Sequence, residues 1–534
     1  MQTQVLIVGA GPTGLVLALW LTRLGVRVRI IDRNAGPGET SRAFAVQART
    51  LELYDQIGLA EAAVRRGRRL SAVNVHERTK AVARIPLGDF GRGLSPFPYI
   101  LILLQDKHEK LLIEPLAEAG VEVERNTELI GFEDDGAHVC ARLKRSDGED
   151  EFCDAAFLCG CDGVHSAIRA LVNTDYRGGT YERVFYVADV TATGLMVDGE
   201  VHYAMAGPDL CRVFPLMGKD RVRLIGRVPD SAKASGFPAT YDDVADQVVE
   251  ATGLKVSMVE WFSTYRVHHR VAAKFRKGRA FLLGDACHTH SPAGSQGLNT
   301  GVGDAVNLAW KLSAVLREHA NPVLLDTYET ERMEVARRVI ATTDLAFGLQ
   351  VNPAGAMRFA RLGLAKLMPM LMRLERVRLL FFRTVSQLML NYRKSALSVG
   401  RAGGVVGGDR LPWIGLTGDT DNFAPLRTLG WQVHVYGRAE NRLREMCARR
   451  GLALHEFAWG AGARQGGLAK DAIYLVRPDG YVAYASREQN PRGIERLLSR
   501  FQLKFAAAAE FASLDSLEEA HRPFTHVSPV SLNT

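Results

Sequence analysis

Nowhere do the 534 residues string together the roughly 18 uninterrupted apolar side chains that a membrane-crossing helix needs. A secretory leader is not expected either. Met1-Gln2-Thr3-Gln4 runs straight into "VLIVGAG", with no basic segment and no small-residue cleavage site. The seven cysteines, at 140, 153, 159, 161, 211, 287 and 447, are odd in number and fit no zinc spacing. Cys159-Gly160-Cys161 is tighter than the usual C-x-x-C pair. These absences argue against a disulfide scaffold and a metal centre, and for reduced thiols in a cytoplasmic protein. No internal repeat is visible. Acid is in short supply: 59 Asp and Glu against 67 Lys and Arg, a net charge of +8. The excess is local. Between 361 and 400, Arg361, Lys366, Arg373, Arg376, Arg378, Arg383, Arg393 and Lys394 face Glu375 alone. A basic stripe beside "LLFF" reads as a solvated or internally paired face, so neither nucleic acid nor membrane is expected as a partner.

What remains is an ordinary globular composition, 47% hydrophobic and 24% charged, in a chain long enough for two or three domains. Residues 5–8 are all apolar without alternation, as in a buried parallel strand. A helix is expected from about Thr13 to Leu24, stopped by Gly25, and a strand over 26–32. A further helix is expected over 105–119. From about 181 to 275 the runs "VFYVADV", "CRVFPLM" and "RVRLIGRV" predict a mostly antiparallel sheet. "RAFLLGDA" (279–286) reads as another buried strand, and 303 to about 400 as largely helical. "GGVVGGDRLP" near 403–412 is a Gly-rich break. Beyond it Pro478-Asp479-Gly480 predicts a hairpin turn within a small α/β unit.

Gly9-Ala10-Gly11-Pro12-Thr13-Gly14 fits G-x-G-x-x-G, with a strand before it, a helix after it and Asp32 closing the second strand, followed by Arg33. Gly9 permits the tight turn, Gly11 lets a pyrophosphate approach the backbone, and Gly14 lets helix and strand pack closely. The helix N-terminus offers N–H groups to phosphate, and Asp32 an acceptor to a ribose hydroxyl. The motif does not itself choose between NAD and FAD. A second loop narrows the choice. "LLGDACHTHSPAGSQGLNTGVGDAVNLAWKL" (282–312) puts Gly284 and Asp285 directly after a strand, where ligand groups gather. Its glycines would let backbone approach a flat ligand, and a helix expected to begin near Gly301 would aim N–H groups at an electron-rich atom. A ligand needing both sites is long, and FAD has that shape.

These motifs, with "CGCDGVHSAIR" (159–169), "SRAFAVQARTLELYDQIGL" (41–59), Gln105 ahead of a helix, "LLDTYETERMEVA" (324–336), "NYRKSALS" (391–398) and "LVRPDGYVA" (475–483), lie in order along nearly the whole chain. In them the chain resembles the single-component FAD-dependent aromatic hydroxylases, the family of p-hydroxybenzoate hydroxylase, phenol hydroxylase and pentachlorophenol monooxygenase. The resemblance implies an α/β fold: a Rossmann-like FAD-binding domain, an inserted mostly antiparallel substrate sheet and a C-terminal thioredoxin-like domain. The corresponding segments are 1–180 and 276–402 for FAD binding, the latter with a helical portion, 181–275 for the substrate sheet, 403–505 for the C-terminal domain and 506–534 for a tail. It further implies that Asp285 binds the ribityl chain and that Pro292, Gly297, Leu298 and Asn299 line the flavin and the oxygen site. Asp162 and Gly163 would form a turn near the pyrophosphate, and Arg42 and Gln105 would contact FAD. The C-terminal domain holds only Cys447 and no C-x-x-C, so packing or dimerisation, giving a homodimer, is its implied role. Ser295 stands where many members carry glycine, and "ERMEVA" lacks a proline common after the arginine.

The activity implied is hydroxylation of a phenolic or polycyclic aromatic compound by NADPH or NADH and O2, through a flavin C4a-hydroperoxide on non-covalently bound FAD. The protein supplies position, dryness and electrostatics, and backbone N–H groups near Gly297 and Leu298 would steady negative charge. A base near a phenol would help. His202, Tyr203, His268 and His269 in the predicted sheet are candidates, with His202 placed first; His288 and His290 flank the second loop. Each is equally readable as structural. Arg212, Arg223 and Tyr265 suit the wall of an aromatic, anionic pocket. The alternatives are a flavin-dependent reductase or oxidase of the same fold, and a non-catalytic flavin-bearing interaction protein. A tryptophan halogenase is disfavoured, because no W-x-W-x-I-P stretch occurs.

Overall fold

The computed structural model describes residues 2–38, 44–206, 209–229, 240–291, 293–351, 355–415 and 421–505; the expected tail at 506–534 lies outside the described residues. The chain opens with β1 (Thr3–Val8), α1 (Pro12–Arg23) and β2 (Val28–Ile31), then α2 (Ala48–Asp55) and the hairpin β3 (Ala72–Glu77) and β4 (Lys80–Pro86). Next come α3 (Gln105–Glu118), β5 (Val123–Glu124) and β6 (Asp150–Gly160). Strands β7 (Tyr176–Thr193), β8 (Val201–Ala206), β9 (Asp209–Pro215) and β10 (Arg221–Arg227) precede α4 (Asp242–Thr252) and β11 (Lys255–Ala272). After β12 (Ala280–Leu282) and β13 (His288–Thr289) lie α5 (Gln296–Leu316), α6 (Asp326–Val351), α7 (Gly355–Leu371) and α8 (Glu375–Val385). The last unit holds β14 (Val399–Ala402), β15 (Val405–Val406), β16 (Gln432–Tyr436), β17 (Ala453–Phe457), β18 (Ile473–Val476) and β19 (Val482–Ser486), with helices Asn441–Arg450 and Arg492–Arg500. Among the described residues no helix is long and apolar enough to cross a membrane.

The first sheet has β12–β6–β1–β2–β5 as its parallel core, with segments 128–134, 139–144 and 276–277 joined to it by antiparallel pairings. Val5, Leu6 and Ile7 are fully buried, which is why that segment does not alternate. α1 is buried from Gly14 to Leu21 and ends at Gly25 in the left-handed region (φ 73°). The second sheet runs β13–β11–β7–β10–β9–β8–β3–β4. It therefore recruits a hairpin, 72–86, from well upstream of the segment read as the substrate sheet. β8 joins β3 in parallel, Val201 against Val73 and Tyr203 against Val75, the one parallel pairing among antiparallel ones in this sheet. This hairpin was not singled out from sequence, and a parallel partner 128 residues downstream leaves no local trace. The third sheet runs β15–β14–β19–β18–β16–β17. It starts with β14 at Val399, just ahead of the glycines read as a break, because these glycines lie inside the sheet's first hairpin. A Cβ on Gly407 would stand 2.3 Å from the Val399 nitrogen.

Candidate active site

The first loop is built of backbone against backbone. A Cβ on Gly9 (φ 102°) would lie 2.4 Å from the Cys161 carbonyl oxygen, and one on Gly14 would lie 2.0 Å from the Gly9 oxygen. Gly11 alone faces open space, with nothing within 4 Å of its would-be Cβ. The cradle thus leaves room where a pyrophosphate would approach, at the N-terminus of a helix that has Pro12 in its first turn. Asp32 is buried. Its Oδ2 accepts from Ala10 N (2.7 Å) and its Oδ1 from Asn34 N (2.8 Å). Arg33 is exposed beside it.

Two residues that sequence reasoning passed over crowd the same end. Glu109 accepts from Gln105 Nε2 (2.8 Å) and Gly38 N (3.0 Å), and burial holds its carboxyl above the usual range. Arg125 donates to the Gly36 carbonyl (3.2 Å), lies 3.8 Å from Asp32, and keeps a buried Nη2 with no partner. The signals were there: Glu109 is one helical turn after Gln105, and Arg125 follows the carboxyl end of β5. Beneath α3, His108 Nε2 meets Tyr54 Oη at 2.6 Å, and burial pushes the imidazole down to about 4.

The second loop touches the first. A Cβ on Gly284 (φ 58°) would lie 2.7 Å from Thr13 Oγ1, and one on Gly301 would lie 2.3 Å from the same atom. Asp285 occupies a single helical turn, Gly284–Ala286, just past β12, and is exposed. The following helix starts at Gln296, five residues before the expected Gly301. Gly294 (φ 74°) and Ser295 (φ 52°) reverse the chain, so Gly297, Leu298 and Asn299 form the first helical turn. Gly301 and Gly303 lie inside the helix because Thr13 and Arg332 pack against them. Ser295 occupies the left-handed position that glycine adopts at least cost. Asn299 Oδ1 accepts from Gln47 N (2.8 Å) and Thr50 Oγ1 (2.7 Å), and its Nδ2 donates to the Ala45 and Ser295 carbonyls. Asp162 Oδ2 accepts from Ile168 N (3.2 Å), its Oδ1 is buried without a partner, and Gly163 has φ 76°. Arg42 and Pro292 lie outside the described residues.

Behind this loop a fully buried carboxylate, Asp304, accepts from Gly284 N (2.9 Å), His288 Nε2 (2.8 Å) and Arg332 Nε (2.6 Å). Burial opposes its ionisation, but Arg332 and His288 prevail and hold it below the usual carboxylate range. Cys287, His288 and Asp304 have ligand atoms within 4.8 Å of one another, yet the carboxylate is already neutralised by the guanidinium. Neither Asp304 nor Arg332 was singled out from sequence; charged residues at helical spacing inside apolar runs were their signal. His290 donates from Nδ1 to its neighbour's carbonyl, Ser291 O (2.8 Å), so Nε2 is the bare nitrogen. Burial pushes this imidazole down to about 4, and its Nε2 lies beside Gly297.

The second sheet separates the candidate bases by alternation. One face, with Tyr186, Ala188, Ala204, Val213 and Leu224, is covered by Val244 and Val248 of α4. His202 shares that face. It bonds Asp198 (2.8 Å) and His76 (3.0 Å) and is 2% exposed. The expected base His202 therefore lies on the face away from Tyr203, where its two partners occupy it. The opposite face carries Tyr203, Phe214, Trp261 and Tyr265 and lies over Phe44–Ala48, the segment tied to Asn299. Arg223 is fully buried on this side, with Asp189 gripped through Nε (2.6 Å) and Nη2 (2.7 Å), between the Phe44 and Trp261 rings. Arg212 lies over Tyr203. His268 meets Thr180 Oγ1 at 2.7 Å and His269 packs edge-on to Tyr181, both toward the far end of β11.

Comparison with known proteins bears directly on this geometry. The sequence family described as "FAD binding domain" matches residues 2–343. The chain is 39% identical over 410 residues to 6-methylpretetramide 4-monooxygenase of Streptomyces rimosus, covering 76% of this chain and 72% of the relative. It is 32% identical over 509 residues to 12-dehydrotetracycline 5-monooxygenase/anhydrotetracycline 6-monooxygenase of Streptomyces rimosus subsp. rimosus, covering 91% and 96%. Among solved structures it superposes on the anhydrotetracycline hydroxylase OxyS from Streptomyces rimosus with a TM-score of 0.76 at 29% identity, covering 94% of this chain and 99% of the other.

Proposed function

The chain belongs to the FAD-dependent aromatic monooxygenases, and from that premise we propose that it hydroxylates a polycyclic phenolic substrate using O2 and electrons from NADPH or NADH. The observation that supports this reading is the contact of the two loops through Thr13, which sets the first loop, with Asp32 behind it, against the loop that ends in Asn299. Bound FAD would supply acceptance of electrons from the nicotinamide, activation of dioxygen and delivery of one oxygen atom to the ring.

The chain's own residues would do the rest. Gly9, Gly11 and Gly14, with the first turn of α1 at Pro12 and Thr13, would hold the pyrophosphate. Asp32 has lone pairs left for ribose hydroxyls, and Asp285 would take the ribityl chain. Gly297, Leu298 and Asn299 present first-turn N–H groups to the flavin ring, where they would steady negative charge. Gln105, Arg33, Arg42, Asp162 and Gly163 complete the cofactor set, and Pro292 the loop. The substrate would lie against Tyr203, Phe214, Trp261 and Tyr265, an aromatic wall onto which α7 and α8 pack through Met368, Phe381 and Phe382. Residues 1–180 and 276–402 form the cofactor-binding unit, 181–275 with the 72–86 hairpin the substrate sheet, and 403–505 with β14 a thioredoxin-like unit that packs rather than reacts. A cytoplasmic, dimeric enzyme is the natural setting.

The test uses purified protein, its visible spectrum, and NADH and NADPH oxidation across a panel of simple and fused-ring phenols. The expected result is a yellow protein with one fused-ring phenol accelerating oxidation and gaining one oxygen atom by mass. Acceleration without oxygen gain would sink it.

A further inference from the structure

Arg477 is fully buried, and Asp479 and Tyr481 nearly so, although they lie in the β18–β19 turn, the part of a sheet that ordinarily meets water. The turn is driven into the cofactor-binding unit, and its charged side chains find partners there. Arg477 grips Glu331 of α6 through both Nη atoms (2.7 and 3.0 Å) and Asp479 through Nε and Nη2 (3.0 and 2.6 Å). Glu331 in turn accepts from Lys311 Nζ (2.8 Å) and Asn307 Nδ2 (2.7 Å), both on α5. Asp479 accepts from Trp310 Nε1 (3.2 Å), also on α5.

Two lines of contact run on from this turn to the flavin loop. In the first, the Tyr481 ring lies 4.2 Å from Tyr392, whose hydroxyl meets Arg332 Nη1 (2.8 Å). Arg332 donates to the Thr300 carbonyl and to Asp304, and Asp304 holds Gly284 N beside Asp285. In the second, the Asp479 carbonyl accepts from Arg49 Nη2. Arg49 opens α2, where Thr50 and the preceding Gln47 hold Asn299. A cleft lined by Arg49, Asn299, Arg332, Tyr392, Asp479 and Tyr481 lies between the turn and α5, beside the apolar contacts of Trp310 with Trp431 and of Tyr481 with Val335 and Val339.

Buried ion pairs contribute little net stability beside the apolar packing that could replace them, but they fix geometry. We propose that the Arg477–Tyr481 turn is a positioning device for the flavin site, fixing through Tyr392–Arg332–Asp304 and through Arg49 where Gly284, Asp285 and Asn299 stand. The C-terminal unit is then part of the cofactor site at one remove. The proposal rests on the flavin lying at these loops.

Tyr392→Phe is the sharpest test, because it keeps the ring stack and removes only the hydroxyl that orients Arg332. Arg477→Lys keeps the charge and loses the fork. For each variant, FAD affinity is read by titration of the apoprotein, amide exchange is read over 284–303 in the FAD-loaded protein, and global melting is followed separately. The expected result is an FAD Kd raised about fivefold or more and faster exchange over 284–303, with melting within a few degrees of the parent. In an Arg332→Lys background, Tyr392→Phe should add nothing further, since the effect passes through Arg332. Unchanged affinity and exchange with a lowered melting temperature would overturn the proposal, leaving the turn as interdomain glue. Additive losses in the double variant would overturn the relay. Failure of the parent protein to take up FAD would overturn the site assignment beneath it and the proposal together.

Discussion

The two glycine loops that meet at Thr13 are made in opposite ways. The first is a fit of main chain to main chain, in which Gly9 and Gly14 leave no space and Gly11 leaves all of it. The second is held from behind by buried charge: Asp304 and Arg332 under Gly284, and Glu331, Lys311 and Arg477 further back. A loop of the first kind is specified by local sequence and tolerates little. One of the second kind is supported by residues up to 193 positions away, from Gly284 to Arg477, so it can be adjusted from a distance. Burial pulls Lys311 down to about 8 despite Glu331, while Glu331, which burial alone would raise, is held far below the carboxylate range by Arg477 and Lys311.

Breaking the second loop's support should have the largest effect. Asp304→Asn leaves the Arg332 guanidinium buried and unmatched, and is expected to cost about 3–5 kcal/mol in denaturant unfolding. Acid probes the first loop's side. The folded pKa of His108 is depressed to about 4, so between pH 6.5 and 4 the unfolded chain takes up a proton that the folded one refuses. Stability should fall as pH falls through that window, by roughly 3 kcal/mol at its acid end. His108→Gln keeps an acceptor for Tyr54 and should flatten this limb; an unchanged pH profile would refute the assignment.

Within the first loop, Gly14→Ala sets a Cβ against the Gly9 oxygen and should cost about 1–3 kcal/mol. Gly11→Ala should cost under about 1 kcal/mol while weakening FAD binding by about tenfold or more. If the two glycines behave alike, the contrast between packed and open positions fails. Smallest is Ser295→Gly, which relieves a left-handed serine at the start of α5 and should raise stability by about 0.5–1 kcal/mol, read as a shift in melting temperature.

The difference in construction also decides what sequence shows. G-x-G-x-x-G between two strands is a complete local description, and the loop stands as read. The second motif put Asp285 just past a strand, where the structure has it, and Asn299 in the turn that opens α5. It misplaced the helix start by five residues, because glycines that serve helix packing at 301 and 303 are indistinguishable in sequence from glycines that serve a loop. His202 and Tyr203 are neighbours in sequence and lie on opposite faces of β8. Which face is covered depends on where α4 lands, and no residue near 202 encodes that. The buried ions Asp304, Glu331, Arg332 and Arg477 were visible only as charges in apolar company.

The parallel seam between β3 and β8 ties folding to the order of synthesis. Val73 leaves the ribosome 128 residues before Val201, its partner. At the usual pace of elongation the 72–86 hairpin waits on the order of ten seconds with one edge open. That edge is a template for the wrong neighbour. β4, "KAVARIP", guards the other flank with Lys80, Arg84 and a terminal Pro86, and the Arg84–Glu200 bond closes only when the awaited segment arrives.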